Sequence, residues 1–118
     1  MIRVKRIYDA TGKEDGYRIL VDRLWPRGVS KEQARIKHWL KEIAPSDALR
    51  KWFGHDPKKW VQFQQRYYKE LVSKKDLLEE MKQLEKEHGI VTLLYSAKDE
   101  GHNQAVALAN FLKGAARP

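Results

Sequence analysis

Two stretches, Tyr17-Arg18-Ile19-Leu20-Val21-Asp22-Arg23-Leu24 and Ile90-Val91-Thr92-Leu93-Leu94-Tyr95, decide the fold. Each holds apolar side chains on successive residues, and successive residues of a strand face opposite sides of its sheet. Such runs need cover on both faces, which places them as central strands with helices on each side. Ile2 to Tyr8 differs, because apolar residues alternate there with Arg3, Lys5 and Arg6 as on a strand near a sheet edge. The link from Asp9 to Gly16 carries Thr11-Gly12 and Asp15-Gly16 turn signals and is too short for a crossover helix, so an antiparallel first pair stays open.

The residues between the two central strands read as helices. Ser30 and Gln33 form a capping box ahead of Ile36, Trp39, Leu40 and Ile43, which share one helical face until Ala44-Pro45 stops it. Ser46 caps a short helix bearing Leu49, Trp52 and Phe53, ended by Gly54. Asp56-Pro57 opens a longer one with Trp60, Phe63, Tyr67 and Leu71 in a stripe. A further start at Ser73 leads through Leu77, Leu78, Met81 and Leu84 to His88-Gly89, and Asp99 or Glu100 begins the last helix. The expected fold is a small three-layer-type α/β domain, residues 1–118, with a short, mainly parallel central sheet flanked by helices.

Composition narrows the chemistry. Cysteine is absent, which excludes a thiolate metal site and a thiol nucleophile. The four histidines show no close ligand spacing, so no metal is expected. The net charge of +8 lies in the first half, where residues 1–59 hold 15 Lys/Arg against 8 Asp/Glu. That imbalance favours phosphates, nucleotides or nucleic acid as partners, with ordinary solubility as the plain reading. No signal-peptide or membrane-length apolar run occurs, so a cytoplasmic protein without membrane contact is expected.

Ligands of parallel sheets bind at the carboxyl ends of the strands. That rule brings Asp22 to Gly28 and Tyr95 to Asn103 to one rim. Asp22 there is either a general base or ligand acceptor, or the partner of an arginine that pins the loop. Arg23 and Arg27 offer fork-shaped donors to an anion, and Lys98 adds charge before the last helix. Tyr95 and Asn103 are placed to orient a ligand, Asp99 is a catalytic or capping carboxylate, and His55 is an acid/base candidate or a structural histidine. Trp25 is read as core packing, and Gly28 alone is weak evidence for a phosphate loop.

These segments, together with Trp39-Leu40-Lys41-Glu42-Ile43-Ala44-Pro45-Ser46 and Leu49-Arg50-Lys51-Trp52-Phe53-Gly54-His55-Asp56-Pro57, resemble the YeaO-like family, domain of unknown function 488. The resemblance covers nearly the whole chain. It implies a compact α/β domain with a shared polar surface and brings no established reaction or cofactor. Distant relatives carry cysteine, histidine and arginine around the final strand and helix, where this chain has Tyr95, His102, Asn103 and Gln104. The expectation is an enzyme-like domain that binds a small anionic or nucleotide-type ligand at the strand carboxyl ends. The alternative is a nucleic-acid-binding or regulatory module using the basic first half. Neither reading implies an oligomeric state.

Overall fold

The computed structural model describes residues 1–114. In chain order it has β1 (Ile2–Arg6), β2 (Tyr17–Leu20), α1 (Lys31–Ala34), β3 (His38–Trp39), α2 (Asp47–Phe53), α3 (Trp60–Val72), α4 (Lys75–His88), β4 (Val91–Tyr95) and α5 (Gln104–Leu112). Single 3-10 turns lie at Lys13–Asp15, Lys41–Ile43 and Pro57–Lys59.

The sheet order is β1-β4-β2-β3, and every pairing is parallel. The two apolar runs are thus the central strands, paired Tyr17 with Val91 through Leu20 with Leu94. β1 sits at one edge, paired with β4, which settles its orientation: the first two strands are not neighbours, and no hairpin joins them. Parallel neighbours send every strand's carboxyl end to the same rim.

Ile19, Val21, Leu93 and Tyr95 face a core built with Phe53 of α2, Phe63, Tyr67 and Leu71 of α3, Met81 of α4 and Leu108 of α5. Leu20 and Leu94 face the other way, against Ile7, Ala34 of α1 and the partly buried Trp25, Val29, Ile36 and Trp39. Four helices therefore cover one face, while the one-turn α1 and its flanking loops cover the other. That second face also buries polar groups. Arg18 and Thr92 lie on it, and Thr92 Oγ1 donates to the Asp15 carbonyl.

Most helix boundaries follow the local signals. Ser46 accepts from the Leu49 amide at 3.2 Å, Gly54 ends α2 with φ 53°, and Asp56 caps the turn that Pro57 opens ahead of α3. Three boundaries differ. The helix expected through Ile43 lasts one turn: Ser30 caps it, but Arg35 takes a left-handed φ of 51° and the chain turns extended. His38–Trp39 then pairs with β2, where the Lys37 amide donates to the Arg18 carbonyl at 2.9 Å and the Leu40 amide to Leu20 at 3.0 Å. Completing the hydrogen bonds of an open β2 edge outweighed the helical spacing of the apolar residues. Ser73 closes α3 rather than opening α4, its hydroxyl donating to the Glu70 carbonyl at 2.7 Å. The last helix starts at Gln104, with Asn103 rather than Asp99 or Glu100 as its cap. No helix among the described residues is long and apolar enough to cross a membrane.

Candidate functional site

β2 and β4 end side by side. The Val21 amide donates to the Leu94 carbonyl at 3.0 Å, so the next residues, Asp22 and Ser96, emerge together at the carboxyl rim. Asp22 is 8% exposed, and both its oxygens are engaged. Oδ2 accepts from the Ser96 amide at 3.1 Å, and Oδ1 accepts from the Gln104 side-chain amide. One carboxylate thereby ties the ends of both central strands to the first turn of α5. Burial pushes the Asp22 carboxyl above its ordinary value, against the opposing pull of the Ser96 and Gln104 hydrogen bonds and the charge of His55.

The arginines of the rim divide by task. Arg23 donates from Nε to the Pro45 carbonyl and from Nη2 to the Ala44 carbonyl, each at 3.0 Å, holding the loop ahead of α2. Arg6, on β1, does the same for the turn after β4, reaching the Ala97 carbonyl at 2.9 Å and the Ser96 carbonyl at 3.2 Å. Arg27 and Lys98 are exposed, and their side chains make no ion pair or protein hydrogen bond among the described residues. The loop that carries Arg27 is itself fixed. Trp25 Nε1 donates to the Val29 carbonyl at 2.7 Å, its ring meets Trp39 edge-on at 5.3 Å, and the Tyr8 hydroxyl donates to the Arg27 carbonyl at 3.0 Å.

Asp99 is a turn-former. Its Oδ1 accepts from the Gly101 and His102 amides at 2.9 and 3.1 Å, and the His102 ring lies 3.0 Å from Oδ2. The Gly101 amide and then the His102 ring hold its carboxyl below its ordinary value. Asn103 is 1% exposed and doubly committed: Oδ1 accepts from the Val106 amide at 3.0 Å, and Nδ2 donates to the Asp99 carbonyl at 2.9 Å. The cap that closes α5 is therefore a side chain already satisfied by protein.

A pocket of about 640 Å³ opens at this rim. Of the residues singled out from the sequence, Asp22, Arg23, Arg27, His55, Lys98, Asp99 and Asn103 line it. Tyr95 does not: it is 2% exposed and packs in the helix-covered core, because its place in β4 turns it to the α5 face. Leu24 lines it from within the nominated Asp22 to Gly28 segment, whereas Gln104, Arg50, Phe53 and Phe63, which also line the pocket, had no site role in the sequence reading. Phe53 and Phe63, stacked at 4.2 Å, read as core stripe residues, and their helical spacing gave no hint that one side of the pair borders a cavity. Arg50 shares α2 with Phe53 and is exposed, its Nη2 3.3 Å from Asp47. His55 has a left-handed φ of 58°, directly after Gly54 at 53°. Such a conformation costs a side-chain-bearing residue on the order of 1–3 kcal/mol and recurs at ligand sites. Among the described residues, no cluster of three or more His, Asp or Glu groups could hold a metal ion.

Comparison with known proteins places the chain in a family. The model of the family described as "Inactive DUF488-N3 subclade" matches residues 1–117. The chain is 42% identical to YeaO, an uncharacterized protein of Escherichia coli (strain K12), over 95% of this chain and 96% of that protein. It is 36% identical to Rv3073c, an uncharacterized protein of Mycobacterium tuberculosis (strain ATCC 25618 / H37Rv), over 96% of this chain and 94% of that one. No solved structure matches it significantly.

Proposed function

We propose a binding rather than a catalytic role, on the premise that the chain belongs to the YeaO-like DUF488 family and to the subclade described as inactive. The ligand is a small anionic molecule of nucleotide type, held at the carboxyl rim. The observation that carries this reading is the composition of the pocket: Leu24, Trp25, Phe53 and Phe63 supply apolar wall, and Arg27, Arg50 and Lys98 supply exposed cations. Apolar wall with a few convergent polar groups is the usual make-up of a small-molecule site, and cations beside it match a base or ring that carries phosphate.

The carboxylates argue for binding over turnover. Asp22 already accepts two protein donors, and Asp99 accepts from two amides and faces His102, so neither is a free general base. Asp22 shapes the floor while Arg27 and Lys98 recognise the anion. A nucleic-acid surface built from the basic first half is less favoured. Six of its cations, Arg3, Lys5, Arg6, Arg18, Arg23 and Lys59, already donate within the chain.

Thermal unfolding of the wild-type chain with millimolar adenosine, guanosine, cytidine and uridine 5′-monophosphates tests this reading. A bound nucleotide at one hundred times its Kd adds about 2.7 kcal/mol, several degrees in Tm. Arg27→Ala with Lys98→Ala removes most of that gain while leaving the unliganded Tm within about 2 °C, because both side chains are exposed. No shift with any of the four, or an undiminished shift in the double variant, defeats the proposal.

A further inference from the structure

A second concavity, of about 530 Å³, lies at the opposite rim of the sheet, where β2 and β3 begin. Gly12, Lys13 and Gly16 border it from the turn ahead of β2, Lys31 and Arg35 from α1 and its end, and Lys37 from the step into β3. Arg18 lines it from β2 and is 4% exposed. Five cations, Lys13, Arg18, Lys31, Arg35 and Lys37, thus border this space against one lining carboxylate, Glu32. The Glu14 carboxylate lies beside Gly12, and Asp15 is shared between Arg18 and Lys5.

Arg18 is anchored on two sides and buried but unpaired on the third. Its Nε donates to the Ala34 carbonyl at 3.0 Å and its Nη1 to Asp15, while Asp15 also accepts from Lys5 at 3.1 Å and from the Gly12 amide at 3.1 Å. Nη2 is the one buried side-chain nitrogen or oxygen among the described residues without a hydrogen-bond partner. A buried donor left unpaired is unfavourable, and a guanidinium more so than a neutral group. The four other cations are exposed, and none of their side chains forms an ion pair among the described residues. Arg35 holds a left-handed backbone beside the cavity, so the chain stays strained at the one step that sets Lys31 and Lys37 on either side of it.

We infer that this amino-terminal rim is an anion site that takes the phosphate group of a small phosphomonoester, with Arg18 as its floor. A phosphoryl oxygen supplies the acceptor that Nη2 lacks, and a dianion answers the excess of cations better than a monoanion does. The volume falls within the roughly 300–1,000 Å³ of small-molecule pockets, leaving room beyond the phosphate for the ester, against Ile36. The site is separate from the carboxyl-rim pocket and shares no lining residue with it.

The test is an amide NMR titration of the whole chain with inorganic phosphate and, separately, with glycerol 3-phosphate, at an ionic strength kept constant with chloride. Saturable shifts centred on Gly12, Lys13, Arg35 and Lys37 are expected, and tighter binding in the second arm marks an ester as the occupant rather than the free ion. Lys31→Ala with Arg35→Gly and Lys37→Ala should weaken binding at least tenfold; glycine at 35 accepts the left-handed backbone, so this variant removes charge without adding strain. Arg18→Lys keeps a cation but loses the fork, and should also weaken binding. Arg27→Ala with Lys98→Ala should leave these shifts unchanged, which separates this site from the nucleotide proposal. Shifts that fail to saturate, that chloride reproduces, that centre on the carboxyl-rim pocket alone, or that survive the triple variant overturn the inference.

Discussion

Replacing Asp22 by alanine and by asparagine separates what its charge does from what its acceptors do. Alanine removes both acceptors. The part-buried Ser96 amide is left without a partner, which costs about 1–3 kcal/mol, whereas Gln104 can turn its amide to solvent. From the upper end of that range, relief of a buried charge returns part, so the net loss is about 2 kcal/mol, or roughly 8 °C in Tm for a chain of this size. Asparagine can keep the pattern: its Oδ1 accepts from Ser96, its Nδ2 donates to Gln104 once that amide is flipped, and the charge is gone. Asp22→Asn should therefore stay within about 1 kcal/mol of wild type. The pH dependence carries the sign. Burial raises the folded carboxyl above its ordinary value of 3.8, so the folded state holds its proton more tightly than the unfolded one. Its contribution is full below 3.8 and is lost as pH rises through the folded value. Asp22→Asn lacks that loss, so its stability relative to wild type should climb across this window and then level off. Urea unfolding at a series of pH values measures both effects. If asparagine is as damaging as alanine, or its difference from wild type does not change with pH, the hydrogen-bond account of this residue is wrong.

Asp15 should behave in the opposite sense. Burial raises its carboxyl, but the Gly12 amide, Lys5 and Arg18 together hold it below 3.8, so its stabilisation is present above that pH and is lost as pH falls through the folded value. Asp15→Asn should cost about 3–5 kcal/mol at pH 7 by stranding Arg18, and should flatten the acid limb of the stability profile seen in urea. Gly16→Ala places a Cβ 2.3 Å from the Ile90 carbonyl oxygen at a φ of 62°, and a loss of more than about 2 kcal/mol is expected in the same assay. Tyr67→Phe removes the donor to the Ile43 carbonyl at 2.7 Å in a fully buried setting, for a loss of about 1–2 kcal/mol visible as a lower urea midpoint at unchanged slope.

The central strands were legible because two-sided burial writes itself as a run of successive apolar residues, as in Ile19-Leu20-Val21 and Leu93-Leu94-Tyr95. Short-range capping chemistry was equally legible at Ser46, Gly54, Asp56-Pro57 and Gly89, since each cap involves residues at most four apart. The segment after Ser30 was misread because Ile36, Trp39, Leu40 and Ile43 fit a helical face equally well, and only the open edge of β2 makes the extended form better. Asp99 and Asn103 are both good caps by type. Which of them opens α5 depends on the turn that Asp99 builds with Gly101 and His102.

For the site, the sequence by itself determined which two segments meet, because parallel strands must deliver their carboxyl ends to one rim. It also excluded thiol chemistry through the absence of cysteine. The tertiary structure alone decided the use of each polar side chain. It tied Asp22 to Ser96 and Gln104, turned Arg23 to loop carbonyls, buried Tyr95, left Arg27 and Lys98 exposed, and set Arg18 with one unpaired nitrogen at the far rim. The reason is physical: a hydrogen bond needs a partner within about 3 Å, and the partners here lie up to 91 residues away along the chain, beyond the reach of any local pattern.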